Sequence, residues 1–161
     1  MSEFTYRTIG MVRSPFKDAK NVPIQAVASR GTKGTVEINP EYIEGLRDLE
    51  GFSHIILLYH FNLVKRCSLL VEPFLDDNVH GVFATRSPGR PNPIGITTVR
   101  LRKIENNILH IEDLDILDGT PLLDIKPYIP KFDNRRTAKI GWFASKIEKL
   151  ASTRDDGRFC K

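Results

Sequence analysis

The residues best suited to chemistry fall in one stretch, GVFATRSPGRPNPIG, residues 81–95. It carries Arg86, Arg90 and Asn92 among three prolines, Pro88, Pro91 and Pro93. Each proline fixes its own φ and biases the preceding residue to extended geometry, so the loop is long but stiff. Ordering a flexible loop on binding costs about 1–2 kcal/mol per residue. A preorganised loop that presents cations and an amide therefore suits a ligand with anionic and hydrogen-bonding groups. On loop chemistry alone, a proline-rich corner that merely turns the chain stands beside this reading. A second group is EDLDILDGTP, residues 112–121. Asp115 and Asp118 there suit a diol or a cation, while Asp118-Gly119 is also a strong turn signal.

Other chemistries find no support. There is no G-x-G-x-x-G after a strand and no G-x-x-x-x-G-K-[ST] phosphate loop. Asn92-Pro93-Ile94-Gly95 is only faintly similar to the Asn-Pro-Pro-aromatic motif of many adenine amino-methyltransferases; the second proline and the aromatic are missing. The histidines His54, His60, His80 and His110 have no zinc-type spacing, so no metal is expected. Cys67 and Cys160 read as unrelated thiols of a reduced, cytoplasmic protein. The N-terminus does not look like a secretory signal, and no apolar run approaches the ~20 residues of a membrane span. The net charge of +4 permits a polyanionic partner without requiring one. Lys131, Arg135, Arg136 and Lys139 form one basic cluster, and Arg100, Arg102 and Lys103 another. Either fits an RNA contact or a solvated surface.

The elements that must position these residues are mainly strands. Residues 4–12, 34–38, 81–85, 96–104, 108–111 and 139–144 read as β-runs, and Glu105-Asn106-Asn107 as a tight hairpin turn. HIILLYHF (54–61) is apolar on both faces, as expected of a strand covered on both sides. One helix is signalled from Asn39 as cap and Pro40 as first residue, with a stripe of Tyr42, Ile43, Leu46 and Leu49 ending at Gly51. A second is expected over 145–150. The balance predicts a mainly β fold: a single closed or strongly curved β-barrel domain over 1–151 with one or two short helices, then a polar, loosely held tail over 152–161.

FATRSPGRPNPIG resembles the hallmark of the TrmO (TsaA-like) family of S-adenosylmethionine-dependent methyltransferases. Four other blocks resemble the family in order: Ile9-Gly10 with Val12-Arg13-Ser14-Pro15-Phe16; Val22-Pro23 with Gln25; Leu49-Glu50-Gly51-Phe52-Ser53-His54 leading to Tyr59-His60-Phe61; and 114–121 followed by Asp124-Ile125-Lys126-Pro127-Tyr128. Longer members carry a separate domain after the barrel, which this sequence does not show. The resemblance implies methyl transfer to the exocyclic N6 amine of a (threonylcarbamoyl-modified) adenosine beside the tRNA anticodon, and a homodimer. It also implies a cofactor site formed by Ala26, Val27, Ala28, Asn62, Leu63, Arg86, Ile96, Glu112, Asp113, Leu114 and Asp115. Such a transfer needs an oxygen acceptor against the amine. Asp124 and Asn92 are the candidates, with Tyr128 as a stacking or orienting group; Asp124 reads equally as a turn cap. Arg90, Lys131, Arg135 and Arg136 are the candidate RNA contacts. The competing functions are an S-adenosylmethionine-binding regulatory module without turnover and a methyltransferase with another acceptor.

Overall fold

Alternating inward and outward side chains on short strands favour a sheet that closes on itself. The computed structural model of the chain describes residues 2–20, 22–24 and 28–160. Its strands are β1 (Gly10–Arg13), β2 (Lys33–Ile38), β3 (His54–His60), β4 (Leu70–Val71), β5 (His80–Gly81), β6 (Ile94–Glu105), β7 (Ile108–Glu112) and β8 (Pro121–Pro127). Six of them form a closed antiparallel barrel in the order β1-β2-β7-β6-β3-β8. The ring closes where Gly10 pairs with Leu122 and Met11 with Pro121. β4 and β5 pair with each other outside the barrel, as a two-stranded flap. The barrel expected from the sequence is thus the observed fold.

Val12, Val36, Ile55, Leu57, Val99 and Leu109 point inward and are each 0% exposed. Burying such a side chain contributes about 1.5–3 kcal/mol relative to leaving it in water. The hairpin at 105–107 forms as read, with Asn106 at φ 55 in the left-handed region that asparagine tolerates.

Several local expectations are corrected. β3 is not covered on both faces: Ile55, Leu57 and Tyr59 are buried while His54, Ile56, Leu58 and His60 are half-exposed, because a closed barrel has one interior. The run 4–12 is strand only from Gly10, with Phe4 and Tyr6 exposed. The run 81–85 is mostly a 3-10 turn, Val82–Ala84, after β5. Residues 139–144 form no strand; Gly141–Ser145 is a 3-10 turn, and a second, Ile147–Lys149, stands where a helix was expected. The 39–51 helix is likewise split into 3-10 segments, Pro40–Leu46 and Leu49–Gly51. Asp48 lies between them at φ 68, and the Asn39 side chain donates to the Thr8 carbonyl instead of capping. Its apolar stripe still packs Tyr42, Leu46 and Leu49 onto the core. The single α-helical turn among the described residues, α1, is Pro130–Asp133.

The topology sets where a site can form. β1, β3 and β7 end, and β2, β6 and β8 begin, at the same mouth of the barrel. The connections 14–32, 61–93 and 113–120 therefore converge there, and both segments singled out by their chemistry lie in them.

Candidate active site

A cavity of about 470 Å³ opens at this mouth, within the ~300–1,000 Å³ range of small-molecule sites. Its floor holds Tyr59, which is 6% exposed, and the buried Gly95 facing it across the β3–β6 pair. The loop 82–95 forms one wall. Its stiffness is visible in its bonds: the Thr85 hydroxyl donates to the Val82 carbonyl (2.9 Å), and the Arg90 guanidinium donates to the Thr85 and Ser87 carbonyls (3.1 and 3.4 Å). The Phe61 N–H donates to the Pro93 carbonyl (2.8 Å), which ties the loop to the end of β3. Arg90 thus acts as the loop's brace, although it was read as an RNA contact.

Arg86 and Asp115 both line the cavity, and both act electrostatically on Tyr59. Burial pushes the Tyr59 phenol well above its ordinary range; the Asp115 charge adds to this and the Arg86 charge opposes it. Tyr59 is therefore a neutral donor at physiological pH, not a base. The Ser87 hydroxyl is buried, lines the cavity, and has no hydrogen-bond partner among the described residues. A buried polar atom without a protein partner is an exception to the usual satisfaction of buried polar groups, and an ordered water can fill it as well as a ligand.

Of the residues expected to hold a cofactor, Asn62, Leu63, Arg86, Ile96 and Asp115 line this cavity. Ala26 and Val27 lie outside the described residues. Ala28 is half-buried and is not among the lining residues. Leu114 is a core residue at 0% exposure, since the register at the end of β7 turns it inward against Gly34. Glu112 is engaged by Arg102, and Asp113, at φ 66, accepts the Gly31 N–H (2.7 Å) and lies 3.6 Å from Arg100. These three residues build the mouth without facing the cavity. Asp118, the other carboxylate noted in 112–121, accepts the Ser14 N–H (3.0 Å) beside Gly119 at φ 75 and pairs with Lys17 at 2.8 Å. Its role is therefore in the turn.

Of the acceptor-side residues, Asn92 lines the cavity. Asp124 does not. In register Leu58 separates it from Ile96, so it lies two strands, ~10 Å, across the barrel's outer face. There it pairs with Lys126 (2.8 Å) and borders a second hollow at the far mouth, and its carboxylate also accepts the Ile125 N–H (2.9 Å). Tyr128 is at that far mouth too, its N–H donating to the His54 carbonyl (3.2 Å). Lys131, Arg135 and Arg136 sit on the exposed run 131–140 and have no ion-pair partner among the described residues. Arg100, Arg102 and Lys103, in contrast, each pair with Asp113, Glu112 or Glu105.

The outer wall was not legible in the sequence. The chain after 140, expected to end as a loose tail, folds back over the mouth and lines the cavity with Trp142, Phe143, Leu150, Asp155, Phe159 and Cys160. The Trp142 indole N–H donates to the Ala84 carbonyl (2.8 Å), and its ring stacks on His80 (4.5 Å) and Phe143 (4.0 Å). The physical reason is an apolar and cationic cluster inside a polar stretch: Phe159 packs edge-on against Phe74 (5.3 Å) and Arg158 sits over the same ring (4.9 Å). His80 is held in turn by the buried Asp76 (3.1 Å), whose other oxygen lies 3.5 Å from Lys146. The bond from His80 is the largest of several contacts that hold the Asp76 carboxyl down to about 2. Its stabilising contribution is thus complete above about pH 4 and is lost as pH falls towards 2. Asp76→Asn should melt lower than the parent at pH 7, and the gap should close between pH 4 and 2. Melting curves that stay parallel through that range would remove Asp76 from the account.

Among the described residues no cluster of histidine, cysteine or acidic groups is arranged to hold a metal, and no helix is long and apolar enough to cross a membrane. The family model described as the tRNA-methyltransferase O N-terminal domain matches residues 11–134. A probable S-adenosyl-L-methionine-binding protein of Pyrococcus abyssi is 60% identical over 154 residues, 96% of this chain and 84% of that protein. The tRNA (adenine(37)-N6)-methyltransferase of Escherichia coli is 39% identical over 140 residues, 81% of this chain and 60% of that enzyme. The crystal structure of TrmO from Pseudomonas aeruginosa matches with a TM-score of 0.74 at 36% identity, over 88% of this chain and 63% of that one. The chain therefore spans less than two thirds of the Escherichia coli enzyme and of the Pseudomonas aeruginosa structure. The matched segment contains the whole barrel from the second residue of β1 and every loop at its open mouth except the outer wall, and the chain belongs to the tRNA-methyltransferase O N-terminal domain family.

Proposed function

We propose that this chain is an S-adenosylmethionine-dependent methyltransferase acting on the N6 amine of an adenosine beside the tRNA anticodon, in the cytoplasm. The observation that carries this reading is the mouth cavity itself: opposite charges, Arg86 and Asp115, flank a neutral Tyr59, with the unpartnered Ser87 hydroxyl and the apolar Phe61 and Ile96 around them. That set fits a ligand with a carboxylate, a cationic centre, a ribose diol and a flat base. When bound, S-adenosylmethionine supplies an electrophilic methyl group on its sulfonium. Arg86 holds the ligand's carboxylate, and Asp115 takes the diol or the cation. Asn92, also in the cavity, accepts a hydrogen bond from the acceptor amine and orients its lone pair. Alignment of this kind supplies up to ~7–11 kcal/mol of a bimolecular barrier. The exposed run with Lys131, Arg135 and Arg136 carries the phosphate contacts, because the other basic cluster is already neutralised by its own acidic neighbours. A homodimer is part of this proposal: Leu69, Leu70, Val79 and Phe83 expose 63–76% of their surface on and beside the flap, an apolar face that a second copy would cover.

The name of the Pyrococcus abyssi relative keeps a second reading in play: binding of S-adenosylmethionine without turnover. One experiment separates the two. Saturating S-adenosylmethionine raises the melting temperature, by about 2.7 kcal/mol of stabilisation at 100 times Kd, whereas NAD and ATP do not. Incubation with methyl-labelled cofactor and unfractionated tRNA then places label in an N6-methylated adenosine, read by nucleoside mass spectrometry. Stabilisation without label in any nucleoside selects the binding module; no stabilisation sinks both.

A further inference from the structure

The outer wall of the cavity lies beyond the residues matched to the family and adds no strand to the barrel. It is nonetheless pinned to three separate parts of the mouth. Trp142 bonds to the loop at Ala84 and stacks on His80 of the flap. The Asp155 N–H donates to the Val22 carbonyl (2.9 Å), beside a bridge between Pro23 and Arg154. Phe159 and Arg158 clasp Phe74, and the Arg158 guanidinium donates to the Glu72 carbonyl (3.3 Å). The segment roofs the cavity without filling it, since about 470 Å³ remains open beneath. A wall so held is positioned to touch what enters.

Position decides what it touches. The candidate cofactor residues come from the barrel strands and the loops that join them, around the buried Tyr59 and Thr120, whereas Trp142, Phe143 and Asp155 line the same cavity from the segment that follows the exposed basic run. A base attached to a polynucleotide must arrive from outside. The exposed basic run ends at Lys139 and passes directly into Trp142; from Arg136 the chain spans at most ~20 Å. RNA held on that run is therefore within reach of this wall. The wall brings a stacked aromatic pair and a carboxylate, and the carboxylate faces a cavity whose barrel side already has Asp115.

We propose that residues 142–160 form the acceptor half of the site, with Phe143 stacking on the target purine and Asp155 as a catalytic residue that accepts a hydrogen bond, then the proton, from its exocyclic amine. This rests on the methyltransferase reading above. As the nitrogen lone pair forms the bond to the methyl carbon, the carbon–sulfur bond breaks and its electron pair stays on sulfur, leaving a neutral thioether. The positive charge now on nitrogen is discharged when its proton passes to the Asp155 carboxylate and on to water. Burial raises the Asp155 carboxyl above its usual range, with the Asp156 charge adding and the Gly157 N–H and Arg158 opposing, so it is a stronger base than a surface aspartate.

The test uses the full chain and an anticodon stem–loop RNA with the target adenosine. Asp155→Asn keeps the acceptor oxygen for the Gly157 N–H. It should lower kcat at least tenfold with KM and the S-adenosylmethionine Kd within threefold, and Asp155→Glu should recover part of the loss. Phe143→Leu should raise KM at least tenfold. It should also weaken RNA binding at least tenfold in the absence of turnover, read from the fluorescence of Trp142, the chain's single tryptophan. Three results would overturn the proposal: kinetics and RNA binding unchanged in both variants, cofactor affinity lost tenfold in both, or Asp155→Glu as impaired as Asp155→Asn. A parent protein that binds no S-adenosylmethionine is a different failure, that of the methyltransferase reading itself.

Discussion

Replacing Arg86 by alanine weakens S-adenosylmethionine binding about 10- to 100-fold and leaves the fold intact. A hydrogen bond to a charged partner contributes about 1.5–3 kcal/mol, and each ~1.4 kcal/mol is tenfold in affinity. Arg86 is exposed on a loop whose geometry is held by Thr85, Arg90 and Pro93, so truncation opens no core cavity. Its guanidinium also opposes the Asp115 charge at Tyr59, and losing it leaves that carboxylate to repel the ligand's own. Arg86→Lys restores charge but not the planar fork, and should recover only part of the affinity. Titration calorimetry measures all three proteins. A Kd for the alanine variant within twofold of the parent, with an unchanged melting temperature, would show that the carboxylate is held elsewhere.

The second large effect concerns the floor. Gly95 pairs with Tyr59 across β3 and β6, and a Cβ at 95 would run into the tyrosine ring, at 2.8 Å even from its hydroxyl oxygen. Tyr59 can retreat only towards the cavity, because its ring packs edge-on against Phe61 (5.2 Å) and its base belongs to the barrel core. Overpacking of this kind costs about 1–3 kcal/mol, so Gly95→Ala should lower the melting temperature by about 2–12 °C for a chain of this length. Tyr59 must shift into the cavity, so S-adenosylmethionine affinity should fall too. Combining Gly95→Ala with Tyr59→Leu removes the collision and should cost less stability than the two single changes added together. Additive losses would mean that the two side chains do not meet.

The sequence by itself determined the fold class and the identity of the stiff loop. Alternating burial is written into β2, β6 and β7, the 105–107 turn is carried by Asn106, which accepts positive φ, and the prolines of 81–95 constrain φ wherever the loop sits. These are local properties, set by a residue and its immediate neighbours. Only tertiary structure decided which face of each strand meets the site. A shift of one residue exchanges inside for outside, which is why Leu114 packs in the core while Asp115 faces the cavity, and why Asp124 lies on the outer barrel face. Tyr59 was hidden for the same reason: its place on the floor depends on its pairing with a glycine 36 positions away. The segment after 140 shows the limit most plainly. Local pattern suggests a strand over 139–144, a helix over 145–150 and a loose tail only from 152, whereas the segment forms short 3-10 turns that fold back over the mouth. Its conformation comes from long-range contacts of Trp142 with Ala84 and His80, and of Phe159 with Phe74, and these exist only once the barrel has gathered those loops at one mouth.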